Sequence, residues 1–339
     1  MLFLGNSYTF MGALDDVTEA LFVAAGEEVT ANRLAEPGWT FPQHVEAIET
    51  DGTAWHVAFD APNDWVILQD QSQIPGFPDG QPDRVASQAA AVVLDGYAAG
   101  TGAQTMFLMT WGRRAGDEQN PEIYPDYDTM QTALTAGYLD YAALASEDGT
   151  PAWVAPAGLA WRRVYDDVVA GGGDPLDPTS AFYGLYIADG SHPSERGTYL
   201  AACVIYASVT GLTPVGLGAP ESVADAGYLQ GVASAVVLEG GGIAYPWQVG
   251  TDTGGTDTGT DDTDTDTDTD TTDDPADTAD GSGCGCTAAP DGAGGWVLGF
   301  ALLAVRRRRG CATRPPSSPG RPSGTPRCRL RRQRGPPAA

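Results

Sequence analysis

Met1-Leu2-Phe3-Leu4-Gly5-Asn6-Ser7-Tyr8-Thr9 opens the chain, and its order of residue types sets the fold class. Leu2–Leu4 is an apolar run that reads as a buried strand. Gly5-Asn6-Ser7 is a turn, with Gly5 allowing the backbone to reverse tightly. Leu14 to Ala25 follows as a helix, with Leu14, Val17, Leu21 and Phe22 on one face. Working outward, Val29 to Leu34 reads as a second strand. Trp65-Val66-Ile67-Leu68, after the turn signal Pro62-Asn63-Asp64, reads as a central strand buried on both faces. Arg84 to Ala99 is helical, Thr105 to Thr110 a strand, Thr129 to Leu144 a helix, Trp153 to Ala155 a strand and Thr198 to Thr210 a last core helix. Strands alternating with helices predict a three-layer α/β/α sandwich around a parallel sheet of about five strands.

Composition divides the 339 residues unevenly. Residues 1–248 are ordinary globular sequence, long enough for one α/β domain. Residues 249–283 are almost only Asp, Thr and Gly and have no large apolar side chain with which to build a core, so a solvated, self-repelling linker is expected. Residues 284–309 hold Cys284 and Cys286, an apolar stretch from Gly292 to Val305 and the cluster Arg306–Arg309. Residues 310–339 are rich in Arg and Pro without pattern, and a disordered tail is expected there. The net charge is −27, there is no Lys, and 11 of the 18 Arg lie at or beyond Arg306. So acidic a domain repels phosphate backbones, which excludes nucleic acid as a partner. Cys203 is the one cysteine of the globular part and reads as a buried, inert thiol. The core has no Cys/His cluster, so no metal is expected, and the chemistry below needs no cofactor.

Two short stretches carry chemistry. Ser7 stands at a strand-to-helix turn, which places its hydroxyl at the carboxyl end of the sheet, where open α/β folds bind ligands. N–H groups at the following helix start can hold a developing oxyanion. By itself Ser7 reads more readily as a helix cap than as a nucleophile. Asp189-Gly190-Ser191-His192-Pro193 is the second stretch. An Asp three residues before a His on a tight turn can set its carboxylate against the imidazole, fixing the tautomer and stabilising the imidazolium. Only three histidines exist, and His44 and His56 have no acid three residues earlier, so both read as surface or packing residues. The strand end Met109-Thr110-Trp111-Gly112-Arg113 should lie on the same sheet edge; with Asn6, Trp111 and Arg113 are candidates to line a substrate cleft, Trp by stacking and Arg by holding a carboxylate, and a loop with a packed Trp and a solvated Arg is the equal alternative.

Together, Gly5-Asn6-Ser7 and Asp189-Gly190-Ser191-His192-Pro193 resemble the first and last blocks of SGNH/GDSL hydrolases, in the family's order, over residues 1 to about 212. The resemblance is to a branch carrying Gly-Asn-Ser-Tyr-Thr and Leu-Gln-x-Gln-Ser in place of the usual Gly-Asp-Ser and Gly-x-Asn-Asp. It implies a flavodoxin-like fold and a catalytic triad of Ser7, Asp189 and His192. It implies an oxyanion hole from the Ser7 N–H, the Gly38 N–H of Glu36-Pro37-Gly38-Trp39-Thr40, and the Gln71 amide, which falls on the family's Asn position. The substrate expected is a small ester or an acylated, for example acetylated, glycan, cleaved by a monomer. Transfer of the acyl group to a glycan, or a non-catalytic glycan-binding role on the same fold, are the alternatives.

The order of Cys, short apolar stretch and Arg cluster resembles the C-terminal sorting tags of myxobacterial and related surface proteins. It implies a secreted protein held at the cell surface, meeting the membrane through the apolar segment or the processing machinery, with the Arg cluster on the cytoplasmic side; a weak membrane anchor without processing, or a tail without such a role, are the alternatives. The apolar run, about 14 residues, is short of the ~20 that a full span needs. The first strand begins almost at Met1, so a start upstream, with a secretion signal, is expected.

Overall fold

The computed structural model describes residues 1–248. The linker, sorting signal and tail expected over 249–283, 284–309 and 310–339 lie outside the described residues. Five parallel strands, β1 (Leu2–Gly5), β2 (Asn32–Ala35), β3 (Trp65–Leu68), β4 (Gln104–Leu108) and β5 (Trp153–Ala155), form one sheet in the order β2-β1-β3-β4-β5. This is the flavodoxin-like order, whose switch point lies between β1 and β3.

The apolar alternation of each strand splits between two cores, because successive strand residues face opposite sides of the sheet. Phe3, Ile67, Met106, Leu108 and Ala155 pack into one core with Leu14, Leu21 and Phe22 of α2 (Leu14–Ala24). Helices α7 (Ala157–Ala170), α8 (Glu195–Thr210) and α9 (Ala226–Ser234) contribute to the same layer. Leu2, Leu4, Val66, Leu68, Phe107 and Val154 face the other way. They meet α3 (Phe41–Glu49), α5 (Pro82–Thr101) and α6 (Tyr127–Ala145). The expected three-layer α/β/α sandwich is therefore the fold.

Differences from the expected elements have local causes. The second strand begins at Asn32 rather than Val29: it is the sheet edge, paired on one side only; Met1 still bonds Thr30 O and Asn32 N–H in ladder fashion, and ahead of that point the chain is held by a side chain, Glu19 accepting from Ala31 N–H. The fourth strand ends at Leu108 rather than Thr110. Beyond it, Met109 still donates to the Ala155 carbonyl, but its own carbonyl accepts from Gly158 N–H at the start of α7, which turns the chain out of the sheet. Helix α3 was marked by a signal that periodicity does not capture. Thr40 and Gln43 form a capping box, with Pro in the first turn.

Candidate active site

The short helix α1 (Ser7–Phe10) follows β1 directly, with Asn6 as its cap. Gly5 is required there: a Cβ on it would lie 2.2 Å from Thr9 Oγ1 and 2.6 Å from Gln69 Oε1. At the far end of the domain, the turn before α8 is built by backbone bonds. Ile187 N–H donates to His192 O (3.0 Å), Gly190 N–H to Ile187 O (3.1 Å) and Ser194 N–H to Leu185 O (2.9 Å). Gly190 has φ +69°, a conformation that favours glycine.

This turn brings Asp189 and His192 to Ser7. Asp189 Oδ1 accepts the N–H groups of Ser191 (2.9 Å) and His192 (3.0 Å), which leaves Oδ2 for His192 Nδ1 at 2.6 Å. His192 Nε2 lies 2.8 Å from Ser7 Oγ. A carboxylate only accepts, so Nδ1 carries the proton; in the neutral ring Nε2 is then the acceptor for the serine hydroxyl. Partial burial works to raise the Asp189 pKa, but the two N–H bonds and the imidazole outweigh it and hold the carboxyl below its ordinary value. The three residues expected as a triad thus form one relay across a sequence separation of 185 residues.

Asn6 does not line a cleft. It is fully buried, and it joins three segments. Its Oδ1 accepts from Tyr8 N–H (3.1 Å), and its Nδ2 donates to Trp39 O (3.0 Å) and to Gln71 Oε1 (3.3 Å). Gln71 Oε1 also accepts from Ser72 N–H (2.7 Å). The oxygen of the Gln71 carboxamide is thereby engaged on two sides, and its Nε2 has no partner among the described residues. Ser7 N–H and Gly38 N–H likewise have none. Gly38 has φ +71° and is exposed, in the loop whose Trp39 carbonyl Asn6 holds. All three expected oxyanion donors are unspent, and Asn6 ties their segments together.

Trp111 is not a cleft residue either. It is 1% exposed and stacked between Trp161 (centroids 4.0 Å apart) and Tyr8 (5.1 Å). Its Nε1 donates to Ser191 O at 3.1 Å, so it props the turn that carries the triad. Its large apolar face is worth more in that sandwich than in water. Tyr8, whose ring edge meets His192, shares a 2.6 Å hydrogen bond with Ser191 Oγ. Arg113 is committed to an ion pair with the buried Asp117 and donates to Gln73 Oε1. It borders a cavity of about 330 Å³ beside Asp189, Gly190 and Ser191, but its charge is already met.

Two supporting residues were not read from the sequence, and a third, His44, was read only as surface or packing. Gln69 Oε1 accepts from Asn6 N–H (2.9 Å) and Thr9 Oγ1 (2.8 Å), anchoring the Ser7 turn to β3. Asp70 is fully buried; its Oδ1 accepts from Phe41 N–H and Gln71 N–H, and its Oδ2 from Tyr141 O–H. Burial raises its pKa against those donors. His44 is a packing residue and not a surface one. It is fully buried, donates from Nε2 to Gly5 O (3.1 Å) and accepts Trp55 Nε1 at Nδ1 (2.8 Å). Burial lowers its pKa to about 4, so it stays neutral. His56 sits on the surface with Nδ1 at Ile48 O. The one usable signal was polarity: Gln69 and Asp70 directly follow four apolar residues at a strand's carboxyl end.

Among the described residues, no group of three or more His, Cys, Asp and Glu is arranged to hold a metal ion, and no helix is long and apolar enough to cross a membrane. Cys203 is buried, and burial pushes its thiol up to about 12.

No protein-family model and no curated protein matches the sequence. Solved structures do. A DUF4886 family protein from Bacteroides uniformis superposes with a TM-score of 0.57 at 18% identity, covering 73% of this chain and 97% of that one. A protein described as an SGNH hydrolase from Slackia heliotrinireducens is 25% identical over 60% of this chain and 95% of its own, with a TM-score of 0.46. Axe2, an acetylxylan esterase from Geobacillus stearothermophilus, is 15% identical over 60% and 90%, at 0.39. The first of these establishes a shared fold, which agrees with the strand order and layers seen here.

Proposed function

We propose that residues 1–248 are a serine ester hydrolase of the SGNH/GDSL type. The observation that carries this reading is the relay Asp189 Oδ2 to His192 Nδ1 (2.6 Å) and His192 Nε2 to Ser7 Oγ (2.8 Å) at the carboxyl end of the sheet. His192 takes the Ser7 proton as Oγ adds to the ester carbonyl, and Asp189 steadies the imidazolium. The unspent N–H groups of Ser7, Gly38 and Gln71 receive the oxyanion. His192 then returns the proton to the leaving alcohol. Water, deprotonated by the same imidazole, cleaves the acyl-enzyme and restores Ser7.

The substrate favoured is a small acyl group on a polar alcohol, such as an acetylated glycan. The cavity beside the triad turn is bordered by Arg113, Arg114, Glu118 and Gln119, which suits a hydroxyl-rich group better than an alkyl chain. With the Cys284 to Arg309 segment as a sorting signal, the enzyme would act at the cell surface. The test is hydrolysis of short-chain p-nitrophenyl esters by the full chain, with Ser7→Ala and His192→Ala as comparisons. Loss of a triad member should lower kcat about 10⁴-fold or more. Equal rates in all three proteins would end the hydrolase reading.

A further inference from the structure

Seven arginines lie among the described residues. Six of them, Arg33, Arg84, Arg113, Arg162, Arg163 and Arg196, form ion pairs with Asp side chains. Arg114 has no carboxylate partner among the described residues. In a chain of net charge −27 that is a conspicuous exception, because a free guanidinium has acids to choose from almost everywhere. Its place is specific as well. The Arg114 backbone N–H donates to Gly190 O (2.8 Å), in the turn between Asp189 and His192. The guanidinium carbon lies over the Tyr183 ring, 3.6 Å from its centroid, and the group reaches the carbonyls of Ile187 (3.5 Å) and Ala188 (3.4 Å) only at long distance. A Cβ on Gly190 would come within 3.2 Å of it, so the turn and the guanidinium are fitted to each other.

We propose that Arg114 is a specificity residue that receives an anionic group, a carboxylate, on the alcohol portion of the substrate. A ring-acylated uronic acid is the sugar form of such a substrate. This rests on the hydrolase reading above and narrows its substrate class. Stacking on Tyr183 holds the guanidinium plane and leaves its remaining N–H groups for a fork onto a carboxylate. The cavity of about 330 Å³ that Arg114 borders is shared with Asp189, Gly190 and Ser191 of the triad turn, and Asp189 is one hydrogen bond from His192. Of the other charges around it, Arg113 is neutralised by Asp117 and Asp189 is engaged by His192. Glu118 borders the cavity without an ion-pair partner among the described residues, and it opposes an anion.

The experiment compares kcat/KM for 4-acetoxybenzoate with that for its neutral counterpart 4-acetoxybenzamide, in the wild-type full chain and in Arg114→Gln, Arg114→Lys and Glu118→Gln. The ratio of anionic to neutral substrate should fall roughly ten- to a hundredfold in Arg114→Gln, the range of a charge-assisted hydrogen bond. It should be kept in part by Arg114→Lys, and should rise in Glu118→Gln. An unchanged ratio in Arg114→Gln, both substrates falling together, would make Arg114 a strut for the triad turn and overturn the proposal. If the wild-type protein hydrolyses neither ester, the hydrolase reading fails on its own account. Calorimetric titration with glucuronate then decides the anion site separately: weaker binding to Arg114→Gln supports it, and equal or absent binding in both proteins refutes it.

Discussion

Replacing Asn6 by Asp would give the Gly-Asp-Ser order of the hydrolases that the Ser7 turn resembles, at almost no change in volume, yet it should damage this protein. Asn6 Nδ2 donates to two acceptors, Trp39 O at 3.0 Å and Gln71 Oε1 at 3.3 Å, from a side chain with no exposure. A carboxylate has nothing to donate. Trp39 O would lose its Asn6 donor, Gln71 Oε1 would keep only Ser72 N–H, and both would face a negative charge, a loss of about 2–4 kcal/mol in unfolding free energy if each unmade bond takes 1–2. The Gln71 carboxamide could rotate to donate to the new carboxylate. That would turn its oxygen outward, remove the acceptor from Ser72 N–H, and replace an oxyanion donor by an acceptor, lowering kcat by about 10²–10³-fold. The variant therefore loses stability, activity or both. Urea unfolding at pH 8 and pH 5, beside ester hydrolysis, reads the outcome. A buried Asp among acceptors has a raised pKa in the folded state. The folded variant thus binds a proton more readily than the unfolded one, and its deficit against wild type should be largest at pH 8 and shrink at pH 5 as the acid form regains a donor. Asn6→Asp within about 0.5 kcal/mol of wild type at pH 8, at unchanged kcat, would refute the reasoning, since surface-like changes fall in that range.

His44 makes the fold acid-sensitive. Its folded pKa of about 4 lies below the ordinary 6.5, so its contribution is whole above pH 6.5 and is lost as pH falls toward 4, by roughly 3 kcal/mol. The stability difference between wild type and His44→Gln, followed by denaturant titration from pH 7 to 4, should change by that amount; a pH-independent difference argues against a neutral, buried His44. Trp111→Ala should cost about 3–5 kcal/mol, because it empties a sandwich between Tyr8 and Trp161. A cost under 1 kcal/mol by the same method would return Trp111 to the cleft.

The chain order of apolar runs sufficed for the layers, the parallel sheet and the approximate strands, because each inner strand must bury both faces and each helix one, and those demands leave local periodicities. Ser7, Asp189 and His192 were legible for a similar reason: in this chain the serine stands on a strand-to-helix turn and the acid lies three residues before the histidine, and both are short-range patterns. What local pattern could not settle was where each polar or aromatic side chain near the site points. Trp111 and Asn6 look like cleft residues until the packing of Tyr8, Trp161, Trp39 and Gln71 around them closes off solvent. His44, 39 residues from Gly5, had no acid three residues before it, and only the docking of α3 against β1 brings it to the Gly5 carbonyl. Arg113 and Arg114 are adjacent and chemically identical, yet a buried Asp117 claims one and leaves the other beside the triad turn. Such assignments depend on which partners arrive from distant parts of the chain to satisfy buried donors, acceptors and charges, and that is decided only when the layers close.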